Sequence, residues 1–149
     1  MSVIGSLIVL VVVLVAATAA GFGLRARQGR FRPSQAPSGP VGNALTPADL
    51  GAQLGERATL VQFSTEFCTY CGPTRDLLAQ LASERPGLAF VEIDAADRMD
   101  LTRRLRILST PTVLVLGADG AIESRSSGQP RKSELLAAVG AVLGEGGGS

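Results

Sequence analysis

The sequence predicts an α/β domain, a central mixed sheet flanked by helices, carried behind one N-terminal transmembrane helix. Three observations lead there. An uncharged apolar run opens the chain, a Pro/Gly-rich stretch follows it, and behind that short strand-like segments alternate with amphipathic helical ones. The 149 residues suit one ordinary domain plus an appendage.

No charged side chain precedes Arg25, and Val3 to Leu24 (VIGSLIVLVVVLVAATAAGFGL) is broken only by Ser6, Thr18 and three glycines. About 20 such residues cross a hydrocarbon core of about 30 Å, whereas a soluble helix keeps a polar face. Residues 1–24 are therefore expected to be a membrane anchor. Ala17-Thr18-Ala19 would fit a signal-peptide cleavage pattern, but the run lacks a basic start and is longer than the usual signal core, which favours a retained anchor. Arg25, Arg27, Arg30 and Arg32 follow with no acid among them. Basic flanks stay in the cytoplasm, so the domain behind them is expected there, with an extracytoplasmic placement as the alternative. Such a flank also attracts anionic headgroups by about 1 kcal/mol per residue. Setting these four aside leaves 10 basic against 13 acidic residues.

Residues 25–44 form this flank and a linker, since the stretch PSQAPSGPVGN (33–43) cannot bury a core. The domain is expected over 45–143, with a flexible tail at 144–149. Thr46, Pro47 and Asp49 read as N-cap, first residue and third residue of a short helix closed by Gly55. ATLVQFS (58–64) reads as a buried strand and Thr69–Ser83 as a helix, with Leu77, Leu78, Leu81 and Ala82 at helical spacing. LAFVEID (88–94) is a second strand. Residues 97–105 form a helix with Met99, Leu101 and Leu105 as its apolar positions. TVLVL (112–116) is a third strand, and Asp119-Gly120 turns it into a fourth over 121–125. Residues 133–143 form the last helix.

The composition narrows the chemistry. The absence of histidine excludes Ser-His-Asp and Cys-His catalysis and metal sites built on imidazole. Two cysteines supply neither a four-cysteine zinc site nor a disulfide-dense scaffold, and a net charge of +1 gives no reason to expect nucleic acid. The two thiols, Cys68 and Cys71, fall between the first strand and the helix behind it. That spacing is expected to set Cys68 at the helix N-terminus and Cys71 one turn in, where free N–H groups and the helix dipole lower a thiol pKa from about 8.5 towards 7. One thiolate then attacks a substrate disulfide and the other resolves the mixed disulfide, a reaction that needs no cofactor. Half of a zinc site lacks its other ligands here, haem attachment requires histidine where Gly72 stands, and a third reading makes both thiols ordinary core residues.

Thr110-Pro111-Thr112 opens the third strand. Pro111 is either a strand-start proline or a cis-proline that sets the Thr110 backbone beside the dithiol, where it pairs with an extended substrate segment.

With these motifs in place, residues 45 to 143 resemble the thioredoxin family. VQFSTEFCTYC is similar to the family's strand and dithiol, and STPTVLVL to its cis-proline loop; VEID, Asp119-Gly120 and Gly128 fall in a similar order. The resemblance implies a thioredoxin-like fold, Cys68 as exposed nucleophile, Cys71 as buried resolving thiol, and Pro111 as cis-proline, with no cofactor beyond the Cys68–Cys71 disulfide. Phe67 stands where the family usually has tryptophan, and Thr69-Tyr70 replaces its common Gly-Pro, so these three join Thr110 and Pro111 as expected substrate contacts. Gly72-Pro73 follows the second cysteine, which puts a proline in the second helical turn and is expected to bend the helix. Gln62 occupies the position of the family's buried carboxylate, and Phe90 that of its companion lysine. Losing both together avoids a lone buried charge. It also removes the obvious base for Cys71, with Glu66 the nearest replacement in sequence. Slower resolution of mixed disulfides is expected, with Gln62 as the tuning residue.

The expected function is a membrane-tethered thiol–disulfide oxidoreductase acting on protein disulfides and recharged by an upstream thiol reductant. The alternatives are a non-catalytic adaptor binding through the Pro111 groove, and an extracytoplasmic interchange protein serving oxidative folding or cytochrome assembly.

Overall fold

The computed structural model describes residues 3–27, 31–33 and 44–145. Helix α1 (Val3–Arg27) contains the apolar stretch Val3–Gly23, which is long and apolar enough to cross a membrane, and none of it is buried against the rest of the protein. Most of the expected linker (34–43) and of the expected tail (146–149) lies outside the described residues. Their described margins depart from expectation. Arg32–Pro33 forms a short strand, β1, and Phe31 packs on the domain core. At the other margin, Gly144 caps the last helix in the left-handed conformation and Glu145 is ion-paired with Arg85.

The domain begins with α2 (Pro47–Leu50). The Thr46 hydroxyl accepts from the Asp49 N–H while the Asp49 carboxylate accepts from the Thr46 N–H, so two otherwise unpaired donors are satisfied. The helix closes at Gly51, at φ 65°, rather than at Gly55. Gly55 is needed for another reason: a Cβ there would lie 2.1 Å from the Ala58 carbonyl oxygen, where the chain folds tightly into the first central strand.

That strand is β2 (Ala58–Ser64), followed by α3 (Cys71–Glu84), β3 (Leu88–Asp94), α4 (Met99–Arg104), β4 (Thr112–Gly117), β5 (Ile122–Ser127) and α5 (Lys132–Leu143). The sheet order is β1-β5-β4-β2-β3, with β2 and β3 parallel and the other neighbours antiparallel. β2 and β4 are covered on both faces, which is why they read as continuous apolar runs. The Asp119-Gly120 signal is a hairpin turn as expected, with Gly120 at φ 81° and the Asp119 carboxylate accepting from the Ala121 N–H. β5 starts one residue later than expected and runs two residues further.

Alternation along β2 divides the core. Val61 and Phe63 pack with Leu50, Leu101 and Leu105 under α2 and α4. Ala58 and Leu60 pack with Leu78, Leu81, Leu135 and Val139 under α3 and α5. The same period of two sends Gln62 to the α3 side of the sheet.

Candidate active site

β2 ends at Ser64, and residues 65–70 lead into α3, whose first residue is Cys71. The expected helix start at Thr69 is thus two residues early. Cys68 stands three residues ahead of the helix, and Cys71 sits at its first position rather than one turn in. The reason is the proline. The second-turn position expected for Pro73 would have removed a helical hydrogen bond, whereas in the helix as it forms Pro73 is the third residue, where a backbone N–H has no helical partner to lose. The helix runs unbroken from Cys71 to Glu84.

Cys71 opens the inward stripe of α3, followed by Thr74, Leu78 and Leu81 at spacings of three and four. That stripe buries Cys71 to 2% exposure, while Cys68 in the loop remains partly exposed. The two sulfurs are joined in a disulfide, with Cα atoms 5.4 Å apart, inside the usual range for such a bond. The Cys71 N–H donates to the Cys68 carbonyl, and the Thr74 hydroxyl to the Tyr70 carbonyl at 2.7 Å, so the loop is closed onto the first helical turn.

Gln62 lies directly below. It is fully buried, and its Nε2 donates to the Cys71 carbonyl oxygen at 2.9 Å. Its Oε1 is buried without a hydrogen-bond partner among the described residues. Gln62 and Glu92 are register partners on β2 and β3. The Arg75 guanidinium grips the Glu92 carboxylate through two hydrogen bonds, 2.5 and 2.7 Å, and holds its pKa below the usual carboxylate range. Phe90 is half-buried against the cluster under α3 and α5. Glu66 is exposed in the loop.

The loop before β4 closes the other side. The Thr110–Pro111 peptide bond is cis, and Pro111 is buried. The Gly128 N–H donates to the Pro111 carbonyl at 2.7 Å, which accounts for Gly128, at φ 89°, in the family-like order. The Thr65 and Thr110 hydroxyls lie 3.1 Å apart and join the end of β2 to this loop. Thr65 was not legible as a site residue, because nothing in sequence pairs it with a position 45 residues away.

Of the expected contact residues, Phe67 is 92% exposed, Thr69 and Tyr70 are exposed, and Thr110 is half-buried. Beside them lies an open depression of roughly 310 Å³ lined by residues that include Thr65, Met99, Leu108 and Thr110. Met99, read from sequence as an apolar position of its helix, is exposed at the start of α4, and Leu108 is 93% exposed. Helical spacing marked Met99 as an inward position, and Leu108, in the loop before β4, carried no pattern at all. Among the described residues, no group of three or more His, Cys, Asp or Glu comes together to hold a metal ion.

Comparison with known proteins matches this arrangement. The thioredoxin family profile covers residues 44–141. Among solved structures, chloroplastic thioredoxin z is 25% identical, with a TM-score of 0.53 over 60% of this chain and 80% of its own. Mitochondrial thioredoxin 3 of Saccharomyces cerevisiae is 20% identical, with a TM-score of 0.51 over 58% and 79% of the two chains. Malaria parasite thioredoxin-2 is 16% identical, with a TM-score of 0.54 over 61% and 88%. No curated protein sequence matches significantly. The profile takes in the capped α2, the dithiol and the cis-proline loop, and the chain belongs to the thioredoxin family.

Proposed function

We propose that this protein is a thiol–disulfide oxidoreductase for protein disulfides, tethered to the membrane by α1 as a retained anchor, with the domain on the cytoplasmic side. One observation carries the chemistry: a partly exposed Cys68 bonded to a buried Cys71 at the start of α3, beside a cis-proline loop. In the reduced pair, the Cys68 thiolate attacks one sulfur of the substrate disulfide and expels the other as a thiolate. The Cys71 thiolate then attacks Cys68 Sγ, closing the Cys68–Cys71 disulfide and releasing the second substrate sulfur. Two electrons pass to the substrate, and the protons lost by the pair end on the two product thiols. A thiol reductant returns the pair to its dithiol form.

Gln62 sets the pace of the second step in this reading. A neutral amide cannot take the Cys71 proton, so that proton leaves to another acceptor and mixed disulfides resolve slowly. The exposed Phe67, Thr69 and Tyr70 and the half-buried Thr110 contact the substrate chain around the sulfur under attack. Arg25, Arg27, Arg30 and Arg32, which follow the apolar stretch, support the cytoplasmic placement. A cytosolic poise keeps such a pair reduced, which favours reduction over oxidation.

The test is insulin disulfide reduction with dithiothreitol by the full chain in detergent, beside Cys68→Ser. Activity that disappears with the substitution supports the reading; activity that is absent or unaffected overturns it in favour of an adaptor. A C-terminal reporter active only outside the cytoplasm decides the side of the membrane, and a signal from it overturns the cytoplasmic placement.

A further inference from the structure

The chain behind α1 joins the domain almost at once. Arg32 and Pro33 pair antiparallel with Arg125 and Ser124 on the outer edge of β5, and Phe31 packs on the core beneath α3 and α5. The register runs on across the sheet: Arg32 lies level with Arg125, Arg125 with Leu114, and Leu114 with Val61. β5 and β2 are each antiparallel to β4, so they run the same way and finish, at Ser127 and Ser64, at one end of the sheet. That is the end carrying residues 65–71 and the dithiol. β1 runs against β5, so the chain arrives from the dithiol end and moves away from it.

The distances are short. Five Cα steps separate Arg27, the last residue of α1, from Arg32, and they span at most about 18 Å. The Arg32 row is three residues from the Ser64 row, about 10 Å along the strands. The exposed apolar side chains lie toward the same end, among the exposed acids Glu66 and Asp97. The large apolar side chains that the described part of the domain exposes are Phe67, Tyr70, Met99 and Leu108, and all four stand on segments at the dithiol end. The opposite end carries the Gly117–Gly120 turn, exposed Glu56 and the Arg85–Glu145 ion pair.

We infer that the domain holds its dithiol end toward the bilayer, and that its substrates are disulfides carried by membrane-bound proteins close to the headgroups. This rests on α1 being retained as the anchor. A domain tethered through residues 28–31 reaches disulfides near the surface and misses those held far above it, and its exposed apolar rim meets the chain that flanks them. Each substrate disulfide takes two electrons from the Cys68–Cys71 dithiol and leaves as two thiols.

The natural chain has no tryptophan, so one can be placed at either end. Full-length Phe67→Trp and Ala118→Trp chains are reconstituted into phosphatidylcholine–phosphatidylglycerol vesicles containing dansyl-labelled headgroups, and flotation is checked first. Energy transfer is expected to be several-fold stronger from the Phe67→Trp chain, because the two ends of a seven-residue strand lie about 23 Å apart. In parallel, the wild-type chain is reduced with dithiothreitol, freed of it, and given a disulfide peptide anchored in the same vesicles. The disulfide sits either next to the headgroups or on a rigid helical spacer about 80 Å long. The near disulfide is expected to be reduced at least about tenfold faster. Equal or stronger transfer from the Ala118→Trp chain, or equal rates for the two peptides, overturns the inference and leaves the anchor standing. Failure of the protein to float with the vesicles overturns the anchor and the inference together.

Discussion

The side-chain amide of Gln62 donates to the backbone carbonyl of Cys71 at 2.9 Å, while the Oε1 of the same amide is buried and accepts no hydrogen bond among the described residues. The amide thus fixes the first turn of α3 and brings no titratable group to Cys71. Gln62→Asp is expected to speed insulin reduction on the order of a hundredfold, the low end of what a placed base contributes. The gain should appear as pH rises through the raised pKa of a buried carboxyl, a step absent from wild type. Gln62→Leu, which removes the amide without adding a base, should show no such step. A Gln62→Asp rate equal to wild type at every pH would refute slow resolution at this residue.

In the proposed reaction, Cys71→Ser leaves the attacking thiol and removes the resolving one. A stable mixed disulfide through Cys68 is expected, seen as a reductant-sensitive shift on a non-reducing gel. Adding Cys68→Ser should abolish the shift; its persistence would place the attack elsewhere.

The Thr65–Thr110 hydroxyl pair ties the end of β2 to the cis-proline loop at 3.1 Å. A double-mutant cycle of Thr65→Val and Thr110→Val, followed by denaturant unfolding, is expected to give a coupling of about 1 kcal/mol. Strict additivity would mean that the pair adds nothing to stability.

Phe67 is 92% exposed, so Phe67→Ser has little packing to lose. It should leave Tm unchanged and lower kcat/KM for a protein disulfide roughly tenfold, the equivalent of about 1.4 kcal/mol of apolar contact with the substrate. An unchanged kcat/KM would remove Phe67 from the substrate surface.

Asp49 gives the domain a pH-dependent brace. The Arg104 guanidinium and the Thr46 N–H and hydroxyl hold its carboxyl down, from 3.8 to about 2. Because the folded-state pKa is depressed, its contribution is fully present above about pH 4 and is lost as pH falls towards 2. Asp49→Asn should therefore cost about 1 kcal/mol at neutral pH once solvent screening is allowed for, with the gap to wild type closing between pH 4 and 2. A gap that stays constant across that range would show that the loss does not come from the charge of the Asp49 carboxylate.

The local layout was legible in the chain because it rests on short-range physics. A run without charge, a capped helix start at Thr46-Pro47, an Asp-Gly turn and strands covered on both faces each leave a signature within a few residues. The closeness of Cys68 to Cys71 and the turn at Pro111 were legible because two cysteines three residues apart before a helix, and a proline opening a strand, are local patterns. Boundaries that depend on competition were less so: α3 starts at Cys71 and not at Thr69, which turns Pro73 from a kink into an ordinary first-turn proline.

Packing decided what sequence proximity could not. The Thr65–Thr110 pair, the grip of Arg75 on Glu92 and the turning outward of Met99 and Leu108 depend on which face of which element meets which. The sharpest case is Arg32–Pro33. Proline, glycine and arginine around it mark a linker by composition, since none of them can build a core alone. Two residues become a strand only because β5 offers an unpaired edge and the core offers Phe31 a place to pack. That edge lies some ninety residues further along the chain, and no window of local sequence contains it.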